Sequence, residues 1–268
     1  MGIQRLWHGT QSGWLPGIVN SGLGGRNPHA ELGTKDVLYR MVRALEDHGA
    51  DLPGPLPGMP SELQLVAGTV APLEFAGRPV NFEYGNTYAS LDLGVARQYA
   101  EKFCGELYGY AWQAALRLDA MGLRSEVPDW RGWGLIHGIN IPTLLRLPPL
   151  SIARFQAESG ANLSNRQRRM LAGTDQGGRF LATDLTFRLK GQVPADELVG
   201  HFLQTGNMPF CLRCVVRANP DAFPGLPIEP MPFDPGASPP KGVHLQFGTY
   251  SDCESPLHDS MLRRGSSP

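Results

Sequence analysis

Apolar residues recur at helical spacing in an early stretch of the chain. One helical face there would carry Val37, Leu38, Met41, Val42 and Leu45. Thr34 is a suitable N-cap and Gly49 a suitable stop, so the pattern predicts a helix over residues 35–48. A second helix is predicted over residues 91–103, with Ser90 as its cap. Its inner face would carry Ala96, Tyr99, Ala100 and Phe103.

Alternation of apolar and polar positions predicts strands elsewhere. The clearest case is 179–189, where one face would carry Leu181, Thr183, Leu185, Phe187 and Leu189. Residues 63–73, 80–84 and 110–118 are also strand-like. Residues 149–158 favour a short helix, and Gly and polar residues predict a loop over 164–178.

The first residues predict a short strand followed by a helix. Leu6 and Trp7 begin the strand, which is expected to end in a turn over His8, Gly9 and Thr10. A helix over 16–21 would then close at Gly22. Near the end of the patterned region, 194–198 predicts one further helical turn.

Composition narrows the fold class. The 268 residues are 41% hydrophobic and 18% charged, which is typical of one globular domain with a sizeable core. The 33 glycines and 24 prolines favour long loops and an all-β or α+β plan. The net charge of -1 argues against a broad basic face for nucleic acid, but not against a nucleic acid that reaches only the rim of a site.

The cysteines and the apolar runs bear on compartment. Four cysteines in a chain of this length do not make a disulfide scaffold, so a reducing, cytoplasmic compartment is expected. Cys211 and Cys214 have the spacing of half a zinc site, but their surroundings alternate like a strand, which is the preferred interpretation. The apolar run 135–150 is interrupted by prolines, so no membrane span is expected.

Three segments carry candidate chemistry. His8 precedes Gly9, whose missing side chain would let a ligand approach the backbone, so that its N–H and C=O could clasp a carboxamide. Tyr88 and Tyr99 could flank a flat ring. Asp184 lies at a polar position of the strand predicted over 179–189. Taken singly, these are an ordinary turn, two core aromatics and a solvent-facing acid.

Together the segments resemble the poly(ADP-ribose) polymerase and diphtheria-toxin-like ADP-ribosyltransferases. Residues 6–23 follow the family's first motif, Leu-Trp-His-Gly-Ser/Thr, then an aliphatic residue, then Gly-Leu. Tyr88 and Tyr99 match its second motif, a strand ending in tyrosine and a helix with another. Asp184 stands before Gln192-Val193 as the acid of the third motif does before its Gln-Val turn.

The resemblance implies an α+β fold with a split β-sandwich core flanked by short helices. Residues 1–200 would form the catalytic domain, with 24–80 as an insertion or lid and 201–268 as an extension packed on the same domain. It implies NAD⁺ as co-substrate and no metal. The expected localisation is the cytoplasm, either of the producing cell or of a target cell.

Residue roles also follow from the resemblance. His8 would bond the adenosine ribose, Gly9 would clamp the carboxamide, and Asp184 would act on the ribose at the bond that breaks. The remaining NAD⁺ contacts would come from Thr10, Tyr88, Ser90 and Tyr99. Three other acids remain open as alternatives to Asp184: Asp175, Asp196 and Glu197.

The departures from the family pattern shape the expected activity. An Asp in place of the usual Glu favours transfer of a single ADP-ribose, and Ala96 replaces a serine that contacts nicotinamide in relatives. The acceptor would be a protein or nucleic acid, recognised through 24–80 and through 164–178 with its arginines. This is expected of a bacterial effector, toxin or defence factor. The alternatives are an NAD⁺ glycohydrolase, a small-molecule modifier and an inactive NAD⁺ or ADP-ribose-binding module.

Overall fold

The computed structural model describes ten segments of the chain: residues 5–54, 61–68, 73–75, 78–80, 85–101, 106–134, 141–174, 185–203, 228–231 and 242–246. The strands are β1 (Trp7–Gln11), β2 (Leu73–Phe75), β3 (Arg78–Val80), β4 (Tyr88–Ser90), β5 (Pro142–Arg146), β6 (Phe155–Ala157), β7 (Thr186–Leu189), β8 (Val199–Leu203), β9 (Ile228–Met231) and β10 (Gly242–Gln246). The helices are α1 (Leu15–Ser21), α2 (Pro28–Glu31), α3 (Thr34–Asp47), α4 (Glu62–Gly68), α5 (Leu93–Glu101), α6 (Glu106–Ala120) and α7 (Asn165–Leu171).

One eight-stranded sheet runs through the molecule in the order β6-β7-β4-β1-β5-β8-β10-β9. The first six strands of that order pair antiparallel, and β10 lies parallel to both of its neighbours. Strands β2 and β3 form a separate pair. Helices and a mainly antiparallel sheet together make this a mixed α and β fold, which is one of the two plans that composition favoured and excludes the all-β alternative.

The two faces of the sheet bury different residues. One face is covered by a large apolar cluster that includes Leu6, Leu145, Phe187 and Phe202. On the other face α5 packs against β1 and β5. The buried members of that contact are Trp7, Ala96, Ala100, Leu144 and Leu203.

A separate helical layer is built from α3, α4 and α6, which contact one another. All five apolar residues predicted on one face of α3 are buried in its core, which confirms that prediction. Periodicity was sufficient there because α3 runs for 14 residues with polar residues on its opposite face. With α6 spanning 15 residues, the layer is built from longer helices than the short flanking ones expected.

Two predicted strands are helices in the structure. Residues 110–118 lie inside α6, whose buried positions follow helical spacing: Leu107, Tyr108, Ala111, Ala114, Ala115 and Leu118. Alanine has the highest helix propensity, and three buried alanines in this segment favour the helix. Residues 63–68 belong to α4, which buries Leu63, Val66 and Ala67.

Two short segments also differ from expectation. The predicted helix over 149–158 is a 3₁₀ turn, Ile152–Arg154, followed directly by β6. The predicted loop over 164–178 contains α7, which begins with a capping box: Ser164 Oγ accepts from the N–H of Gln167, and Gln167 Oε1 accepts from the N–H of Ser164. Such reciprocal bonds satisfy two backbone donors that a loop would leave to water.

The chain around β1 and β4 refines three further predictions. His8, Gly9 and Thr10 lie within β1 and not in a turn, because β5 pairs with β1 along its whole length. The helix ending before Gly22 is confirmed as α1, and a 3₁₀ turn at Ala195–Glu197 confirms the last predicted helical turn.

In the described residues, no helix is both long enough and apolar enough to cross a membrane.

Candidate functional site

The three segments singled out from the sequence lie on neighbouring parts of one sheet. Strand β4 lies between β1 and β7, with Trp7 opposite Ser90 and Ser90 opposite Thr186. These strands are far apart in the sequence, so only the tertiary fold brings them together. Asp184 and Asp175 lie outside the described residues. Asp196 and Glu197 lie in the 3₁₀ turn that precedes β8.

The ends of the first and third motifs are bonded directly to each other. The N–H of Leu23 donates to the carbonyl of Val193 at 2.8 Å, and the N–H of Val193 donates to the carbonyl of Leu23 at 2.9 Å. Gly22 has a φ of +73°, and a Cβ there would lie 2.6 Å from the Val193 carbonyl oxygen. The glycine is therefore required both by the backbone conformation and by this close contact.

His8 is held by the backbone of β4. Its Nδ1 lies 2.7 Å from the carbonyl oxygen of Tyr88. A carbonyl can only accept, so Nδ1 is assigned the proton and Nε2 the lone pair. Burial lowers the pKa of His8 below its ordinary 6.5, and the bond to Tyr88 offsets part of that change. His8 is therefore a neutral imidazole whose Nε2 can accept a hydrogen bond from a hydroxyl group.

Gly9 allows α5 to pack directly on the backbone of β1. A Cβ at Gly9 would lie 2.0 Å from the carbonyl oxygen of Ala96 and 2.7 Å from the backbone nitrogen of Ala100. The sequence interpretation assigned this glycine to a ligand that approaches the backbone. The structure corrects this reason, because α5 and not a ligand fills the space that a side chain would need.

The backbone polar groups of Gly9 point toward β4. Leu6 accepts a hydrogen bond from Leu147 and Ser12 donates one to Ile141, so even-numbered residues of β1 face β5. Both polar groups of a residue in an antiparallel strand face the same neighbour, and successive residues alternate. The groups of Gly9 therefore face the β4 side, where the described pairing is limited to Trp7 opposite Ser90. We call this opening the β1–β4 junction.

Both tyrosines of the second motif lie near this junction. Tyr88 begins β4 and is half-buried. Tyr99 lies on α5, one position before Ala100, and is 39% exposed, so its predicted place on the inner face of the helix is wrong. Because Ala100 touches Gly9, the helix face next to Tyr99 lies against β1. The partial exposure of both rings distinguishes them from fully buried core aromatics such as Tyr108.

The hydroxyl of Ser90 makes two hydrogen bonds to the backbone that the sequence did not predict. Its hydroxyl donates to the carbonyl of Leu185 at 3.2 Å and accepts from the N–H of Asp92 at 3.0 Å. The predicted cap role belongs to Asp92, whose carboxylate accepts from the N–H groups of Gly94 and Val95. Ser90 thus joins the start of β7 to the turn that leads into α5.

Thr10 and Ala96 complete the predicted set. Thr10 lies on β1 opposite Thr143 and is 8% exposed. Ala96 is buried against β1. Position 96 therefore offers no hydroxyl to a ligand in the β1–β4 junction.

One residue of the site was missed from the sequence. Arg188 on β7 lies opposite Tyr88, and on its other side opposite Gln156 of β6. Paired residues share a face of the sheet, so Arg188 lies beside Tyr88. The signal was present, because Arg188 has the same strand parity as Asp184, but only the acid was singled out.

The segments proposed for acceptor recognition are only partly described. Within 24–80, α3 and α4 pack on α6 in the helical layer, and whether the segment also acts as a lid stays a prediction. In 164–178, α7 carries the arginines Arg166, Arg168 and Arg169, and residues 175–178 lie outside the described residues. The described part of the chain holds no group of three or more potential metal ligands. Cys211 and Cys214 lie outside it.

No protein-family model matches the chain, and neither a curated protein nor a solved structure matches it.

Proposed function

We propose that this protein is a mono-ADP-ribosyltransferase, which cleaves NAD⁺ at the nicotinamide–ribose bond and transfers ADP-ribose to a macromolecular acceptor. One observation carries the proposal: the segments of the three motifs, which are distant in sequence, adjoin one another, because β4 pairs with both β1 and β7 and Leu23 bonds Val193. The short pairing between β1 and β4, with Trp7 opposite Ser90, is the feature that supports the split β-sandwich core that the resemblance implies.

The state of His8 supports its role on a ribose. A hydroxyl group donates most readily to a neutral imidazole nitrogen, and Nε2 of His8 is such an acceptor. The lowered pKa keeps the ring neutral at pH 7. A protonated His8 would present a donor in place of the acceptor, so this preorganisation favours a ribose hydroxyl.

The backbone direction at Gly9 supports its role on the carboxamide. A primary amide presents one donor and one acceptor side by side, and the N–H and C=O of Gly9 face the β1–β4 junction together. Tyr88 and Tyr99 supply partly exposed rings for stacking on a pyridinium. With alanine at position 96, Gly9 provides the main polar contacts to the amide.

A carboxylate is needed where positive charge develops. Breaking the bond between nicotinamide and ribose gives the sugar oxocarbenium character, and a nearby negative charge stabilises that state more than the ground state. We assign this role to Asp184 on the register of the third motif. In the proposal, Asp184 bonds the 2′-hydroxyl of the nicotinamide ribose and orients the acceptor.

The test combines NAD⁺ labelled in its adenylate portion with separate pools of protein, RNA and DNA. We expect one pool to become labelled, and Asp184→Ala to lower turnover by at least about a hundredfold with little change in NAD⁺ affinity. His8→Ala should instead weaken NAD⁺ binding in calorimetry. Asp129→Ala, which removes an exposed carboxylate of the helical layer, serves as the matched control.

The outcomes separate the alternatives. Release of nicotinamide without a labelled acceptor would identify a glycohydrolase. NAD⁺ binding without turnover, unchanged in Asp184→Ala, would identify a binding module. A wild-type protein that neither binds NAD⁺ nor releases nicotinamide would overturn the proposal.

A further inference from the structure

A polar row crosses the sheet next to the β1–β4 junction. Gln156 of β6, Arg188 of β7 and Tyr88 of β4 are consecutive cross-strand partners. Their side chains therefore share one face, with Cβ atoms of neighbours about 5 Å apart. All three are half-buried, so each remains partly accessible to solvent.

The opposite face of the same strands is apolar. Phe187 is fully buried there, and its partners Ala89 and Ala157 lie on either side of it. A strand with one face sealed in a core normally presents the other to solvent or to a ligand. On that outer face α5 packs over β1, β5 and part of β4, and the polar row begins beside it.

Arg188 has no anionic partner in the described part of the chain. No ion pair or hydrogen bond joins its guanidinium to a described residue, whereas Arg26, Arg43, Arg97 and Arg124 each pair with a carboxylate. The guanidinium lies beside Gly160, where a Cβ would be 3.2 Å from Nη1. Glycine thus leaves room next to a partly buried positive charge.

A guanidinium in this setting is suited to phosphate. Its planar set of donors can bond two oxygens of one phosphate, and partial burial strengthens the attraction. Lys190 lies two residues further along the chain and adds positive charge. In a dinucleotide the pyrophosphate is one ribose away from the nicotinamide, so a dinucleotide stacked at Tyr88 would need a phosphate-binding group on a neighbouring strand.

We propose that Arg188 is a phosphate-binding residue of this site, which binds either the pyrophosphate of NAD⁺ or a phosphodiester of a nucleic-acid acceptor. The inference rests on the proposed function for the position of the site. It goes beyond that function because it assigns a substrate contact to a residue that none of the three motifs specifies.

The test uses the full chain with Arg188→Gln, the conservative Arg188→Lys, and Arg117→Gln as a control. Arg117 is an exposed arginine of α6, so its replacement makes the same charge change away from the site. The probes are ADP-ribose, nicotinamide and a single-stranded oligonucleotide, each titrated at one fixed salt concentration. Thermal unfolding of each variant confirms that it is folded.

We expect Arg188→Gln to weaken ADP-ribose binding by about tenfold or more, as loss of a charged hydrogen bond does, and to leave nicotinamide binding unchanged. Arg188→Lys should recover part of the loss. A loss confined to the oligonucleotide supports the acceptor as the phosphate source. Unchanged affinity for both phosphate probes overturns the proposal, even if the wild type releases nicotinamide from NAD⁺.

Failure of the proposed function has a different signature. A wild-type protein that binds no ADP-ribose and releases no nicotinamide contradicts the transferase. Arg188 is then judged by the oligonucleotide alone, and absence of that binding as well overturns both proposals.

Discussion

The helical layer and the β1–β4 junction differ in how far their aromatic and polar groups are buried. In the helical layer Tyr108 is fully buried between Trp14 and Trp130, at centroid distances of 5.0 and 5.1 Å. The indole N–H of Trp130 donates to the carbonyl of Leu32, and that of Trp133 to the carbonyl of Pro128. The indole N–H groups of Trp130 and Trp133 are thus bonded to nearby backbone, as in a core built for packing.

At the junction the polar groups are held in place but still face outward. His8 is fixed through one ring nitrogen, which leaves the other for a ligand. Tyr88 and Arg188 are half-buried, and Tyr99 is 39% exposed. The contrast teaches that aromatic content alone does not mark a site in this protein. The site is marked by polar groups whose geometry is fixed while a bonding position remains open.

The largest expected effect breaks the helical layer and spares the junction. Tyr108→Ala should lower the free energy of unfolding by about 4 kcal/mol, because it removes a buried ring and leaves a cavity. ADP-ribose affinity, measured well below the unfolding temperature, should stay within about twofold. Tyr108→Phe keeps the ring and should stay within about 1 kcal/mol of the wild type. A large loss of affinity in folded Tyr108→Ala would show that the two regions are coupled.

A smaller effect is expected from the junction itself. Gly9→Ala should cost about 3 kcal/mol, since the new Cβ would force α5 away from β1. Unlike Tyr108→Ala, Gly9→Ala should also weaken nicotinamide binding, because the same shift moves the N–H and C=O of Gly9 that would bind the carboxamide. The control is Gly17→Ala in α1, where nothing lies within 4 Å of the added Cβ. Chemical denaturation and calorimetry would measure the two effects, and equal stability of the two variants would contradict the contact.

The smallest of the three effects is the dependence of stability on pH that His29 contributes to the helical layer. Burial lowers the pKa of His29 to about 4, in contact with Trp14 and Tyr108. The unfolded chain binds the proton first as pH falls below 6.5, so this contribution to stability is complete above about pH 7.5 and declines toward pH 4. Between pH 7.5 and pH 5 we expect a loss of about 2 kcal/mol.

His29→Phe keeps a ring in this cluster but cannot titrate. Denaturant titrations at several pH values should therefore show a shallower acid dependence in the variant than in the wild type. Equal slopes would mean that His29 does not titrate as its burial implies. Binding of ADP-ribose should be unaffected at pH 7.5, because His29 belongs to the helical layer and His8 to the junction.

Local patterns were reliable where one periodicity was strong. The face of α3 was predicted residue by residue, and Gly22 was placed correctly at the end of α1. The pattern was misleading in α6, because every second residue from 110 to 118 is apolar, as in a strand, although the segment is a helix. It also failed at Ser164, because the capping box that starts α7 was taken for a polar loop.

The candidate site was predictable as a set of residue types but not as an arrangement. The first motif drew attention to His8 and Gly9, yet it carried no information that α5 packs on Gly9 or that Tyr88 holds His8. A role for Arg188 was not predicted, because the function of an arginine on a strand can be inferred only when its neighbours on adjacent strands are known. The role of Asp184 stays a prediction.

The sequence by itself determined the amphipathic face of α3 and the glycine that ends α1, because each depends on residues within a few positions of one another. Only the tertiary structure decided that β4 lies between β1 and β7 and that Leu23 bonds Val193. Those contacts join segments separated by tens of residues. Their pairing depends on which apolar faces can be buried together, and a local pattern of residues does not contain that information.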